Sequence, residues 1–150
     1  MRVYLCAARR RAFYNSFLDA LATQAFAPEA GRYDLVWIQW VVGHLTDADL
    51  ISCLARCASA LRPGGFVCVK ENVVRGEAAC MDIADTSVTR SGDYLECVFA
   101  AAGLEVVDVV AQREWPPDLY PVNMYALRPV APAAGATRRG GKGARGGRRR

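Results

Sequence analysis

The segment from Tyr33 to Val69 limits the fold more than any other part of the chain. Leu35-Val-Trp-Ile38 is a short apolar run rich in β-formers and predicts a buried strand. Thr46-Asp-Ala-Asp49 then has the form of a helix start, with Thr46 as N-cap and Asp49 at the capping-box distance. Acidic residues in a first turn also suit the helix dipole. Leu50, Ile51, Leu54, Cys57, Ala58 and Leu61 recur at helical spacing and form one apolar face. Pro63-Gly-Gly65 is expected to end this helix. Phe66-Val-Cys-Val69 is a second buried strand. Strand, helix and parallel strand joined in this order make a right-handed βαβ crossover.

The polar residues cluster just past the two strands. Gln39, Trp40 and His44, the chain's only histidine, follow the first, and Lys70-Glu-Asn72 follows the second. In open α/β sheets, ligands bind in the crevice outside the carboxyl ends of the strands. Both strand ends are therefore candidate site elements.

Beyond them, Val73 to Thr89 shows no clear periodicity and reads as a long connection that carries Asp82, Asp85, Thr86 and Ser87. Ser91-Gly-Asp93 opens a second helix, with Tyr94, Leu95, Val98, Phe99 and Ala102 inward and Gly103 at its end. Leu104 to Val110 is a third strand, Trp115 to Tyr120 a turn, and Val122 to Leu127 a fourth strand expected to form a hairpin with the third. Residues 1–22 are a poorly defined N-terminal segment, residues 23–128 a partial domain, and residues 129–150 a disordered basic Arg/Gly tail. The order β-α-β-loop-α-β-β is that of an α/β fold, the C-terminal half of a doubly wound sheet with its first strands missing. No G-x-G-x-x-G motif follows a strand.

A hydrophobic fraction of 53% argues against disorder for most of the chain. Residues 138–150 contribute +7 against a whole-chain net charge of +4, so the remainder is mildly acidic. Any attraction to nucleic acid therefore belongs to the tail. The six cysteines show no Cys-x-x-Cys and have one histidine beside them, which argues against a metal site. Cys53 and Cys57 share a helix face and suit packing. No secretory pattern opens the chain, so a reduced compartment, cytoplasmic or nuclear, is expected. No apolar run approaches the ~20 residues of a membrane span.

At Trp37-Ile-Gln-Trp40, Gly43-His-Leu-Thr-Asp47, Leu61-Arg-Pro-Gly64, Lys70-Glu-Asn72 and Asp85-Thr-Ser-Val-Thr-Arg90, residues 23–128 resemble the protein α-N-terminal methyltransferases. The resemblance implies a Rossmann-like class I methyltransferase fold. It also implies S-adenosylmethionine as cofactor and, as substrates, proteins whose N-termini begin X-Pro-Lys or X-Pro-Arg. It assigns Thr23, Gln24 and Gln39 to the cofactor. It assigns Trp40, Asn72, Asp82, Asp85, Ser87 and the Leu119-Tyr120 turn to the peptide, with His44 and Asp85 as bases. The family's N-terminal helices, glycine-rich turn and ribose-binding acidic residue have no counterpart here.

Transfer of a methyl group to an amine needs the amine's lone pair, so the amine must lose a proton first. An α-amine titrates at about 7.7–8.0, well below a lysine side chain at ~10.4. A modest base such as Asp85 or His44 is then sufficient, and Asn72 offers a carbonyl that orients the N–H. Simpler roles exist for each: helix capping for His44, turn chemistry for Asn72, and solvation for Asp82 and Asp85. Trp37 lies inside the apolar run and is expected in the core. The sequence thus supports two functions. One is an N-terminal methyltransferase; the other is a truncated, inactive relative that binds N-terminal peptides or acts through its Arg/Gly tail.

Overall fold

The computed structural model describes residues 3–7 and 28–130, the first of these segments by its backbone. Five strands form one mixed sheet. β1 (Val3–Ala7), β2 (Tyr33–Gln39) and β3 (Leu61–Asn72) run parallel, and β7 (Val122–Pro129) and β6 (Leu104–Ala111) continue antiparallel in the order β1-β2-β3-β7-β6. β4 (Ala79–Asp82) and β5 (Ser87–Arg90) form a separate hairpin. Helix α1 (Asp47–Ala60) joins β2 to β3, and α2 (Gly92–Ala101) joins the hairpin to β6. A 3-10 turn at Val42–His44 precedes α1.

The core lies between one sheet face and the two helices. Alternation brings Val36 and Ile38 of β2, Val67 and Val69 of β3, Tyr125 and Leu127 of β7, and Leu104 of β6 to the same side. Against them pack Leu50, Cys53, Leu54 and Cys57 of α1 and Leu95, Val98 and Phe99 of α2. Phe99 meets Tyr125 edge-on, with ring centroids 5.2 Å apart.

The capping expectations hold. The Thr46 hydroxyl accepts the Asp49 N–H at 3.2 Å and donates to the Asp49 carboxylate at 2.8 Å. The shorter acidic side chain takes the hydroxyl proton, where Glu in a capping box would reach back to the backbone. Ser91 caps α2 through the Tyr94 N–H at 3.2 Å. Cys53 and Cys57 are buried, as packing residues should be.

Four expectations need correction. Helix α1 ends at Ala60, ahead of Pro63, because Leu61 is already extended and the residue before a proline disfavours helix. Leu61 is the first residue of β3, and Arg62 to Gly65 form an irregularity between the pairs Tyr33–Leu61 and Leu35–Phe66. A Cβ at Gly65 would lie 3.0 Å from the Asp34 carbonyl oxygen, so only glycine lets this segment lie so close to β2. Second, the connection from Val73 to Thr89 is largely a hairpin; its polar alternation hides the strands because one face meets solvent. Third, the segment read as poorly defined contributes β1, which pairs with β2 from Val3–Leu35 to Ala7–Gln39. Fourth, Trp37 is half-buried, on the sheet face opposite the helices.

Candidate active site

The site forms where β2 and β3 end and the hairpin folds over them. Trp40 closes β2 with φ 52°, a left-handed conformation for a bulky residue that costs about 1–3 kcal/mol and has to be imposed by its surroundings. Its N–H donates to the Lys70 carbonyl at 3.1 Å, and the Lys70 ammonium stands 5.6 Å from the indole centroid. The same ammonium donates to Gln112 Oε1 at 2.9 Å, which ties the strand end to the loop after β6.

His44 ends the 3-10 turn, and this turn packs on β5. A Cβ at Gly43 would lie 3.3 Å from the Val88 carbonyl oxygen and 3.7 Å from Ser87 Cβ. That close approach brings His44 to the returning strand of the hairpin. A cleft of ≈ 360 Å³ opens there, bordered by His44, Asp47, Met81, Thr86, Arg90 and Tyr94. The capping hydroxyl of α1 comes from Thr46, and His44 borders the cleft.

Asp85 and Ser87 sit at the hairpin turn, where Asp85 Oδ1 accepts the Ser87 N–H at 2.9 Å. Asp82 Oδ1 accepts the Ala84 N–H at 2.8 Å. Both carboxylates therefore shape the turn with one oxygen. The Leu119-Tyr120 turn reaches the same hairpin, because the Tyr120 hydroxyl lies 3.5 Å from Cys80 Sγ and Trp115 Nε1 donates to the Tyr120 carbonyl at 2.9 Å. The contact with Cys80 raises the Tyr120 pKa. Asn72 ends β3 opposite Val122, half-buried. Trp40, His44, Asn72, Asp82, Asp85, Ser87, Leu119 and Tyr120 thus lie at one end of the sheet and on the hairpin over it. Thr23 and Gln24 fall outside the described residues.

Two residues that hold the site together stood within the sequence motifs without an assigned role. Arg90 is 4% exposed and donates to the Val42 carbonyl at 3.1 Å, the Leu45 carbonyl at 2.7 Å and Asp47 Oδ1 at 2.9 Å. Tyr94 donates to the other Asp47 oxygen at 2.5 Å, and this bond, with those from Arg90, lowers the Asp47 pKa. Glu71 is the second. It is 8% exposed, and burial pushes its carboxyl up to about 7 against the opposing pull of backbone N–H groups and Arg90. One signal pointed to Glu71: a carboxylate at the next same-face position after Val67 and Val69. Arg90 closes the Asp85–Arg90 motif, but no role for it was legible in the sequence, because its partners lie 43 to 48 residues away.

Gln39 ends β2, with its Oε1 taking the Trp37 indole N–H at 3.0 Å. Among the described residues no glycine-rich turn follows a strand. They also contain no group of three or more metal-ligating side chains and no helix long and apolar enough to cross a membrane.

The family model described as AdoMet-dependent proline di-methyltransferase matches residues 2–128. The chain belongs to this family. Two relatives are the alpha N-terminal protein methyltransferase 1 of Caenorhabditis elegans and the N-terminal Xaa-Pro-Lys N-methyltransferase 1-B of Xenopus laevis. The first is 45% identical over 115 residues, 77% of this chain and 48% of the relative. The second is 44% identical over 105 residues, 70% of this chain and 47% of the relative. The chain spans about half the length of the curated relatives it matches. A solved S-adenosylmethionine-dependent methyltransferase from Leishmania major superposes with TM-score 0.67 at 38% identity, covering 71% of this chain and 42% of that one. A Burkholderia thailandensis 1,6-didemethyltoxoflavin-N1-methyltransferase, solved with S-adenosylhomocysteine, shares the fold at TM-score 0.63 and 17% identity, over 73% of this chain and 48% of that one. The class I methyltransferase fold and the family expected from the sequence are both borne out.

Proposed function

We propose that this chain carries the peptide-binding half of an S-adenosylmethionine-dependent methyltransferase acting on the α-amino group of X-Pro-Lys or X-Pro-Arg protein N-termini. The observation that carries this reading is that Trp40 and Asn72 stand at the ends of the parallel strands β2 and β3, where α/β proteins bind ligands, while His44 of the following turn borders a cleft against the hairpin whose turn holds Asp85. The names of the relatives support the substrate class.

In this reading, the Trp40 indole packs on the substrate's proline ring at the end of β2. Asp82 and Asp85, anchored in the turn, attract the cationic start of the peptide. Asn72 holds an N–H of the terminal amine and so aims its lone pair. His44 or Asp85 accepts the proton that the α-ammonium must lose before it is a nucleophile. Fixing the amine in line with the methyl donor is expected to contribute most of the remaining acceleration. Gln39 faces the cofactor. A reduced cytoplasmic or nuclear setting and a tail that binds RNA through charge belong to the same proposal.

Calorimetric titration of the full chain with a Pro-Pro-Lys peptide, and with the same peptide N-acetylated, tests this. The free terminus should bind and acetylation should abolish binding. Equal affinities, or none, would overturn the proposal. A methylation assay with S-adenosylmethionine then separates an active enzyme from a catalytically silent peptide binder.

A further inference from the structure

Glu71 occupies a position where the sheet calls for an apolar side chain. Val67, Val69 and Glu71 alternate on the helix-facing side of β3, all buried. An ionisable group there costs desolvation, so its retention needs a reason in the structure. Its two oxygens reach different chain segments. Oε2 accepts the Val42 N–H at 3.2 Å, with the Val41 N–H also bonded to the carboxylate, and Oε1 accepts the Asn72 N–H at 3.0 Å. The Val41–Val42 backbone lies between Trp40 and His44. Asn72 is the group read as orienting the amine. One carboxylate therefore spans the two strand ends.

We infer that Glu71 is a positioning residue that locks the Trp40–His44 loop to Asn72, so that the groups holding the peptide and taking its proton keep one geometry. This rests on the peptide-binding reading above. Glu71 itself is buried under the loop and acts through Val42 and Asn72. A carboxylate suits the task because both its oxygens accept; a glutamine in its place would have one acceptor and would turn an NH2 toward a backbone donor. The charges around it are balanced. Arg90 of β5 provides the positive field, and Arg90 is itself held by Asp47 at the start of α1, which Tyr94 of α2 also bonds. His44 is the titratable side chain on the loop being held. Ionised Glu71 can accept from all its donors. Protonated Glu71 turns one oxygen into a donor and releases part of the lock.

The test uses the full chain and Glu71→Gln. Amide nitrogen shifts of Val42 and Asn72 are followed with pH in both proteins. In the unmodified protein the two amides should titrate together, with one midpoint near 7 set by the raised Glu71 value. In Glu71→Gln neither should titrate. The variant should lose thermal stability, because its NH2 faces a buried backbone N–H, and, assayed well below its midpoint, should bind the Pro-Pro-Lys peptide about tenfold more weakly. A merely structural Glu71 would lower the midpoint and leave the affinity of the folded variant unchanged. Unequal midpoints, or peptide affinity unchanged in Glu71→Gln, would overturn the inference. If the variant does not fold, the two amides of the unmodified protein still decide the matter. If the unmodified protein fails to bind peptide, the function proposal falls, and the amide titration reads the lock independently.

Discussion

Glu71 and Arg90 grip the backbone of one residue of the site loop, Val42, through the peptide groups on either side of it. Glu71 takes the Val42 N–H at 3.2 Å, and Arg90 gives a hydrogen bond to the Val42 carbonyl at 3.1 Å. Val42 is 1% exposed, so neither backbone group has water as a ready substitute. Opposite charges on the two sides hold the loop and partly neutralise each other.

Removing Arg90 should therefore be costly. Arg90→Ala leaves the Val42 and Leu45 carbonyls without this donor and removes a cation from beside Glu71 and Asp47. A loss of about 3 kcal/mol is expected, visible as a lowered thermal midpoint in calorimetry. A change below about 0.5 kcal/mol, the range of an ordinary surface substitution, would contradict the grip described above.

Stability should vary with pH in a direction set by Glu71. Its carboxyl is raised from 4.5 to about 7 in the folded protein. Below pH about 4.5 it is protonated in both states, and its contribution is fully present. Between about 4.5 and about 7 the unfolded chain has lost the proton and the folded one retains it, so stability falls as pH rises. The full loss is of order 3 kcal/mol, at about 1.4 kcal/mol per pKa unit. Urea unfolding at pH 5 and pH 7.5 measures it, and Glu71→Gln should flatten the difference. The lowered Asp47 pKa acts in the opposite sense and below this window: its contribution is present above 3.8 and is lost as pH falls through the lowered value.

Gly43→Ala should disturb the site more than its size suggests. The new methyl meets the Val88 carbonyl oxygen at 3.3 Å, so the turn or β5 must shift. Overpacking of this kind costs about 1–3 kcal/mol. The expected result is a lowered thermal midpoint together with weaker peptide binding, because the shift separates His44 from the hairpin. Unchanged peptide affinity would show that the approach of turn to hairpin does not matter for binding.

Asp85→Ala and Asn72→Ala separate anchoring from recognition. Asp85→Ala loses the bond to the Ser87 N–H as well as the charge offered to the peptide, so peptide affinity should fall by about tenfold or more. Asn72→Ala leaves the Asn72 N–H bond to Glu71 intact and should weaken binding with little change in thermal midpoint. Either variant binding the Pro-Pro-Lys peptide normally would remove that residue from the proposed site.

Local rules carried the sequence reading a long way. The apolar run Leu35–Ile38, the Thr46 and Ser91 caps, and the hairpin of the last two strands are set by neighbours in sequence, and each is found where the pattern puts it. The hairpin from Ala79 to Arg90 escaped because strands with one solvated face, built from Cys, Met, Asp, Ser and Thr, carry little hydrophobic signal. Trp37 was expected in the core from its apolar neighbours, but strand alternation turns it to the other sheet face, where its indole meets Gln39.

The candidate site divides along the same line. By itself, the sequence determined the family, the βαβ frame and the strand ends on which Gln39, Trp40, His44 and Asn72 stand, because periodicity, capping and short motifs are local. Only the tertiary structure decided what holds those residues together: Glu71 reaching Val42 across 29 positions and Arg90 reaching Asp47 across 43. The physical reason is that a buried charge survives only where distant backbone groups and an opposite charge converge on it, and that convergence exists only once the chain has folded.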